Sequence, residues 1–404
     1  MLSCMDGKDE KMLDFNLEQH CYGCGACADV CPKQAITMEA DFEGFLMPKI
    51  DEGKCIQCGL CEKKCVHLNM VPAERKLIES VCKAAFRTDD EKRLKSASGG
   101  IAAILTEEFV RNGDVVVGCS WTEDLVAKHI AINSSDEAWR LQSSKYVQSD
   151  MTEAYDLVKS GLNSGHRVLF IGTPCQTAAI RNVFGNPDNL YLVGLICGGV
   201  PSPKVWKKFK QSQEKKYHSK MIHANFRSKG RYGWNTPVAL YEFENGKKSE
   251  KLSFQLDDYV LQYLYGVFKR NSCYQCGYKG DAINADVVLG DYWGSPEFRD
   301  QSENKGVSAI LCLTKKGESC IKCLNEECQV IDTTLDEILH RNQPLIHSVG
   351  RGGQRKEFFE TLDAAGYLKA AKQFGGKTNP IKYYGMKILD RTGLFELVKR
   401  RIKG

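Results

Sequence analysis

Two cysteine runs carry the strongest chemical signal in this chain. The first reads Cys21-x2-Cys24-x2-Cys27-x3-Cys31, followed by Pro32; the second reads Cys55-x2-Cys58-x2-Cys61-x3-Cys65. Three thiolates at such short gaps wrap three corners of an iron–sulfur cubane, while the fourth of each run reaches to the other cluster. One [4Fe–4S] cluster is therefore expected on Cys21, Cys24, Cys27 and Cys65, and the other on Cys55, Cys58, Cys61 and Cys31. Gly23, Gly25 and Gly59 suit a backbone that folds tightly around inorganic sulfide. Zinc also takes paired cysteines, but zinc motifs rarely stack this spacing twice. In the second run Val66 stands where proline is usual, a minor departure. Cubanes of this kind pass electrons one at a time.

A further pair, Cys273-x2-Cys276, lies far from this ferredoxin-type module. Alone, such a pair reads equally as a redox couple, half a zinc site or half a cluster site. Cys175 and Cys197 each follow directly on an expected parallel strand, where ligands gather in open α/β sheets. If those strands are neighbours, the four thiols can close one site, read as a third [4Fe–4S] cluster with zinc as the alternative. A lone nucleophilic Cys175 is the rival, because a helix start lowers a thiol pKa. No histidine in its local motif serves as a base, and a plain core cysteine is the remaining option. Cys312, Cys320, Cys323 and Cys328 read as ordinary structural thiols, and Cys4, Cys82 and Cys119 as structural or free ones.

The elements that position these residues alternate helix and strand. Ile101, Leu105 and Phe109 fall at fourfold spacing in the helical run Ser98 to Arg111, with Asn112-Gly113 as its stop signal. Val115 to Val117, Val126 to Ile132, Val168 to Ile171 and Leu190 to Ile196 read as strands, and Thr152 to Ser160 and Gln176 to Phe184 as helices. Strand, helix, strand in that order makes a parallel sheet. Pro237 to Glu244, Asn245-Gly246 and Leu252 to Phe254 read as a hairpin. Val287 to Leu289 and Val307 to Leu313 follow as strands. The fold class is α/β, or α+β overall: a small dicluster domain and then a mixed α/β core.

Composition narrows the class. The chain has 404 residues, 42% hydrophobic and 26% charged, an ordinary globular balance. A net charge of +5 over the whole length gives no case for nucleic acid. The nineteen cysteines are an odd count in a chain too long for a disulfide scaffold. Met1 to Glu10 has no apolar core of a secretory signal, and no apolar run is long enough to span a membrane. Many thiols without an export signal point to metal ligation in a reducing cytoplasm.

From the ferredoxin-type module through to about residue 360 the chain resembles the beta subunits of coenzyme F420-reducing hydrogenases and dehydrogenases. The carriers are Ser96-Ala97-Ser98-Gly99-Gly100, Ser144-Lys145-Tyr146-Val147-Gln148, Gly172-Thr173-Pro174-Cys175-Gln176, Leu195-Ile196-Cys197 through Val200-Pro201-Ser202-Pro203, Asn225-Phe226-Arg227, Cys273-x2-Cys276, and Ala285-Asp286 through Gly290-Asp291-Tyr292-Trp293-Gly294. Gly198 departs from the pattern, where relatives usually carry histidine. That leaves the cluster site intact and alters the proton handling beside it. The resemblance divides the chain into a ferredoxin domain at 14–71, core parts at 80–200 and 201–360, and a basic helical tail at 361–404.

The resemblance also implies an FAD-containing core with its own [4Fe–4S] cluster. Such proteins exchange electrons between clusters and a two-electron carrier, which in archaea is coenzyme F420 itself. Related plant enzymes reduce a chlorophyll intermediate, and many bacterial relatives occur beside polysaccharide genes. Ser98-Gly99-Gly100 precedes a helix, whose open N–H groups can hold a diphosphate. From the residues alone this is a plain N-cap; with the resemblance it is an FAD contact. Lys145 and Arg227 then neutralise phosphate or a substrate carboxylate, with solvated surface charge as the alternative. Asp291 and Trp293 follow a strand end and suit a site wall, although Trp293 also suits a core.

The function read from this sequence is an iron–sulfur flavoprotein oxidoreductase working with a donor or acceptor protein and a small or deazaflavin-type carrier. No catalytic residue stands out. The alternatives are a relay subunit that only feeds a partner, and a scaffold whose clusters are structural. From Lys377 onward the chain is basic, with Ile388, Leu389, Leu394, Phe395 and Leu397 as an apolar stripe. A terminal helix packed on its own core is preferred there over a membrane-binding or partner-binding end.

Overall fold

Apolar runs rich in β-branched residues become the buried strands that carry the site. The computed structural model describes residues 17–294, 304–376, 380–392, 394, 395 and 398. Strands β1 (Ile36–Ala40) and β2 (Leu46–Ile50) pair antiparallel within the cysteine-rich module. The following strands are β3 (Val81–Arg87), β4 (Val115–Trp121), β5 (Ala127–Ile132), β6 (Val168–Gly172) and β7 (Leu190–Leu195). Then come β8 (Met221–Ser228), β9 (Val238–Phe243), β10 (Lys248–Leu252), β11 (Val287–Asp291), β12 (Ser308–Cys312) and β13 (Cys328–Asp332).

One eight-stranded sheet runs β13-β3-β12-β11-β7-β6-β4-β5, and a three-stranded sheet runs β10-β9-β8. In the large sheet β4, β6, β7 and β11 are parallel, while β5 and β12 pair antiparallel with β4 and β11 at the flanks. The fold is thus mixed α/β, and the large sheet takes strands from both sides of residue 200. Val168, Leu169 and Phe170 are fully buried, as expected of a central strand covered on both faces. Pro174 starts the following helix, Pro174–Phe184, and Thr173 caps it with Gln176 in a capping box. The smaller sheet packs on the helix Pro203–Tyr217 through Trp206, Phe209, Phe226 and Tyr241.

Several elements differ from the sequence reading. The second arm of the hairpin is Lys248–Leu252, earlier than Leu252 to Phe254. Its residues alternate exposed and buried as a sheet-edge strand does, so polar lysines hide the period. Strands β1, β2, β3, β8 and β13 lie where no strand was expected. In the tail, Phe395 is buried against Tyr232, while Ile388 and Leu394 stay exposed. Leu397 lies outside the described residues.

Candidate redox site

The thiols of the two cysteine runs gather in two places. Cys31 crosses to the second run and lines one cavity with Cys55, Cys58 and Cys61. Cys58 is exposed, so this pair of loops meets solvent. Cys24 and Cys27 feel the charges of Cys21 and Cys65, which places those four thiols together. Backbone N–H groups point at the sulfurs: Gly23 at Cys21 Sγ, 3.2 Å, and Ala35 at Cys31 Sγ, 3.3 Å. Burial pushes the Cys24 thiol up to about 12. Without a cluster such groups stay protonated, and ligation releases their protons.

The later cysteines also converge. β6 and β7 are neighbours in register, Gly172 opposite Gly194, so their carboxyl ends carry Cys175 and Cys197 to one edge. Cys175, Cys197, Cys273 and Cys276 line a single cavity. The N–H groups of Gly199 and Val200 reach Cys197 Sγ and Cys273 Sγ at 3.3 and 3.4 Å. The Thr173 hydroxyl lies 3.2 Å from Cys175 Sγ. Burial pushes the Cys175 thiol well up, and the neighbouring thiols add to it. Burial thus opposes the lowering that a helix start gives a thiol.

Two tyrosines join this cavity to the first cysteine site. Tyr22, next to Cys21, lines the cavity wall with Tyr278, and their rings meet edge-on at 5.4 Å. Tyr22 accepts a hydrogen bond from Gly277 N–H at 2.9 Å, and Tyr278 donates one to the Val66 carbonyl at 2.6 Å. Tyr155 donates to the Cys24 carbonyl at 2.9 Å. Arg270, Lys279 and Ser272 also line the wall. Neither the tyrosines nor Arg270 carry any motif that singles them out in the sequence.

The same carboxyl edge holds the residues expected to contact flavin. Asp291, at the end of β11, accepts both Arg227 guanidinium nitrogens and the Trp234 indole N–H at 2.7 Å. Burial works to raise the Asp291 carboxyl, and Arg227 together with the Trp234 and Ser98 hydrogen bonds more than offsets it, leaving it below its ordinary value. The Ser98 hydroxyl donates to the Val307 carbonyl. Gly100, at φ +89°, precedes the helix Ile101–Arg111 without a side-chain cap. Gly99 N–H donates to the Ser308 hydroxyl at 2.9 Å, and a Cβ there would lie 2.7 Å from the Ser308 nitrogen and collide with the Ala85 carbonyl. Close packing on β3 and β12 thus requires glycine at 99 in its own right.

Lys145 is half-buried and donates to the carbonyls of Arg140 and Gln142, at 3.2 and 2.7 Å. Burial brings its amine down to about 8. Lys229, which the sequence reading missed, is 4% exposed and holds the carbonyls of Arg93, Ser98 and Lys305. Burial brings it to about 7, with Arg227 and Arg93 adding to the effect. Tyr146 stacks on Tyr263 at 4.9 Å, and Tyr263 lies within reach of the Cys197 and Cys273 charges. Tyr146 also lies beside Arg227, so this aromatic pair stands between Arg227 and the four-cysteine cavity.

Residues 20–68 match the 4Fe-4S dicluster domain, and residues 165–336 match the family model for the C terminus of the coenzyme F420 hydrogenase/dehydrogenase beta subunit. The chain is similar to one of the subunits of the F(420)H(2) dehydrogenase of Methanosarcina mazei, 21% identical over 328 residues covering 77% of this chain and 84% of that protein. It is 24% identical over 327 residues to the coenzyme F420-dependent sulfite reductase of Methanocaldococcus jannaschii, covering 74% of this chain and 45% of that protein. A chain of the F420-reducing [NiFe] hydrogenase complex from Methanosarcina barkeri superposes with a TM-score of 0.44 at 19% identity, over 68% of this chain and 93% of that one. No helix among the described residues is long and apolar enough to cross a membrane. With a 4Fe-4S dicluster domain at residues 20–68 and a match to the C terminus of the coenzyme F420 hydrogenase/dehydrogenase beta subunit at residues 165–336, the chain is an iron–sulfur electron-transfer protein related to those hydrogenases and dehydrogenases.

Proposed function

We propose that the chain is an iron–sulfur flavoprotein oxidoreductase, exchanging electrons between three [4Fe–4S] clusters and FAD, and between FAD and a two-electron carrier or small substrate. The observation that carries this reading is the order of the sites. The exposed Cys31/Cys55/Cys58/Cys61 cavity comes first, then the Cys21/Cys24/Cys27/Cys65 group, then the four-cysteine cavity behind Tyr22 and Tyr278. Arg227, with Lys229 beside it, follows beyond Tyr263 and Tyr146. Exposure of Cys58 suits the outer end for a donor or acceptor protein.

Thiols that ring a cavity suit the corners of a cubane better than the single centre of a zinc tetrahedron. The residues at the strand ends also fit an anionic cofactor. Lys145 and Lys229 are cations held by backbone carbonyls, and both are disfavoured in charged form by burial. A diphosphate beside them would restore that charge, with Arg227 contributing and Asp291 fixing its orientation. Ser98, Gly99 and Gly100 would present the start of helix Ile101–Arg111. A flavin there would couple hydride transfer to single-electron transfer. The names of the relatives favour coenzyme F420 as carrier, and a reducing compartment such as the cytoplasm suits the many free thiols.

A relay subunit without its own turnover is the second reading, favoured by the relative that is itself one of several dehydrogenase subunits. Stopped-flow reduction separates the two. With a reduced deazaflavin coenzyme or reduced nicotinamide as hydride donor, the cluster absorbance should bleach only in flavin-loaded protein. Bleaching in flavin-free protein refutes the order of sites. Failure to bind FAD under any reconstitution leaves the relay reading.

A further inference from the structure

We infer that Arg270 is a positioning residue that locks the first and third cluster sites together and, by its fixed charge, raises the potentials of both clusters. The inference rests on the three-cluster reading above. Arg270 is 3% exposed. Its backbone belongs to the core: its N–H donates to the Val200 carbonyl at 2.9 Å, and its carbonyl accepts the Cys273 N–H at 3.0 Å. Its side chain enters the dicluster module. Nε donates to the Cys21 carbonyl at 2.6 Å, and Nη2 to the Leu46 carbonyl at 3.0 Å. Nη1 donates to Gln148 Oε1 at 3.0 Å, and the Gln148 amide donates to the Tyr22 carbonyl at 3.0 Å.

The module leaves room for this side chain. Gly23, at φ +62°, faces the guanidinium so closely that a Cβ would sit 2.7 Å from Cζ. The Met47 sulfur and the Phe45 ring, 5.4 Å from Cζ, close the remaining sides. The hydrogen-bond acceptors around Arg270 are carbonyls, an amide and a thioether, none of them charged. A buried full charge without a counter-charge is costly, and an arginine does not lose its proton to escape that cost. Four thiolates around a cubane leave a net negative charge on each cluster. One cluster on the Cys21 loop and one on the Cys273 loop would balance this guanidinium from both sides. Because net charge and hydrogen bonding set cubane potentials, the same cation makes both clusters easier to reduce than they would be without it.

Redox titration of anaerobically prepared protein, followed by electron paramagnetic resonance, tests this. Arg270→Gln should shift the midpoints of the first and third clusters to more negative potential, leaving the Cys31/Cys55/Cys58/Cys61 cluster unmoved as an internal reference. Arg270→Lys should recover most of the shift. Unchanged midpoints with iron retained, or an Arg270→Lys shift equal to that of Arg270→Gln, would overturn the inference. If Arg270→Gln loses iron, Gln148→Leu decides, since it keeps the charge but frees one guanidinium nitrogen. Weaker spin–spin broadening between the first and third signals then supports the positioning role, and unchanged broadening refutes it. A wild type with about eight irons and no third signal would remove the third cluster itself, while the shift of the first cluster would still judge Arg270.

Discussion

The Arg227–Asp291 pair gives a sharp test of what the carboxyl edge holds. Asp291→Asn keeps an oxygen for the Trp234 indole but removes the charge facing Arg227. Arg227 and Lys229 would then share one pocket without a carboxylate between them. Removing one partner of a buried ion pair costs about 3–5 kcal/mol. Here the side chains are 10% and 15% exposed, so solvent relieves part of that. About 3 kcal/mol is therefore expected for the flavin-free protein. The assay is denaturant unfolding read by tryptophan fluorescence, because Trp234 stacks on Trp293 at 4.4 Å beside the pair. Added FAD should close much of the gap, since a diphosphate replaces the missing negative charge, and the variant should bind FAD more tightly than the wild type. A gap that FAD leaves unchanged refutes the placement of Arg227 against the cofactor. A loss under about 1 kcal/mol would mean that the pair behaves as a surface ion pair.

Other consequences are equally direct. Cys276→Ser should remove about four irons, roughly a third of the total, and leave the dicluster signals intact; iron analysis with resonance spectra checks both. Gly99→Ala should destabilise the core by about 1–3 kcal/mol whether or not flavin is present, because its Cβ meets Ala85 and Ser308 rather than a ligand; a penalty seen only with flavin would contradict that. The depressed Lys229 amine gives a pH signature. Its folded value of about 7 lies below the ordinary lysine value, so the unfolded chain binds more protons above pH 7. Stability should therefore rise with pH from about 7 towards 10, and Lys229→Met should flatten that part of a denaturation-midpoint profile.

Much of the site was legible because cysteine spacing is a geometric statement. The crossing of Cys31 and Cys65 between sites follows from the run itself. The meeting of Cys175 with Cys197 required only that two consecutive strands be neighbours, and β6 and β7 are. Strand β3 was hidden because Val81–Arg87 interleaves lysine and arginine with alanine, giving a weak period. Strand β8 begins after a lysine-rich helix and carries two irregular registers against β9, which break its alternation. Arg270, Tyr22, Tyr278 and Lys229 were not legible at all. Their roles come from partners 76 to 255 positions away in sequence. Gly99 shows the opposite case, since the resemblance assigned it to a ligand while its surroundings already require glycine.

Counting iron and flavin together on anaerobically prepared protein tests the three-cluster flavoprotein most directly. About twelve irons and one FAD per chain are predicted, with no bound zinc. About eight irons, or full iron with no flavin after reconstitution, would contradict it.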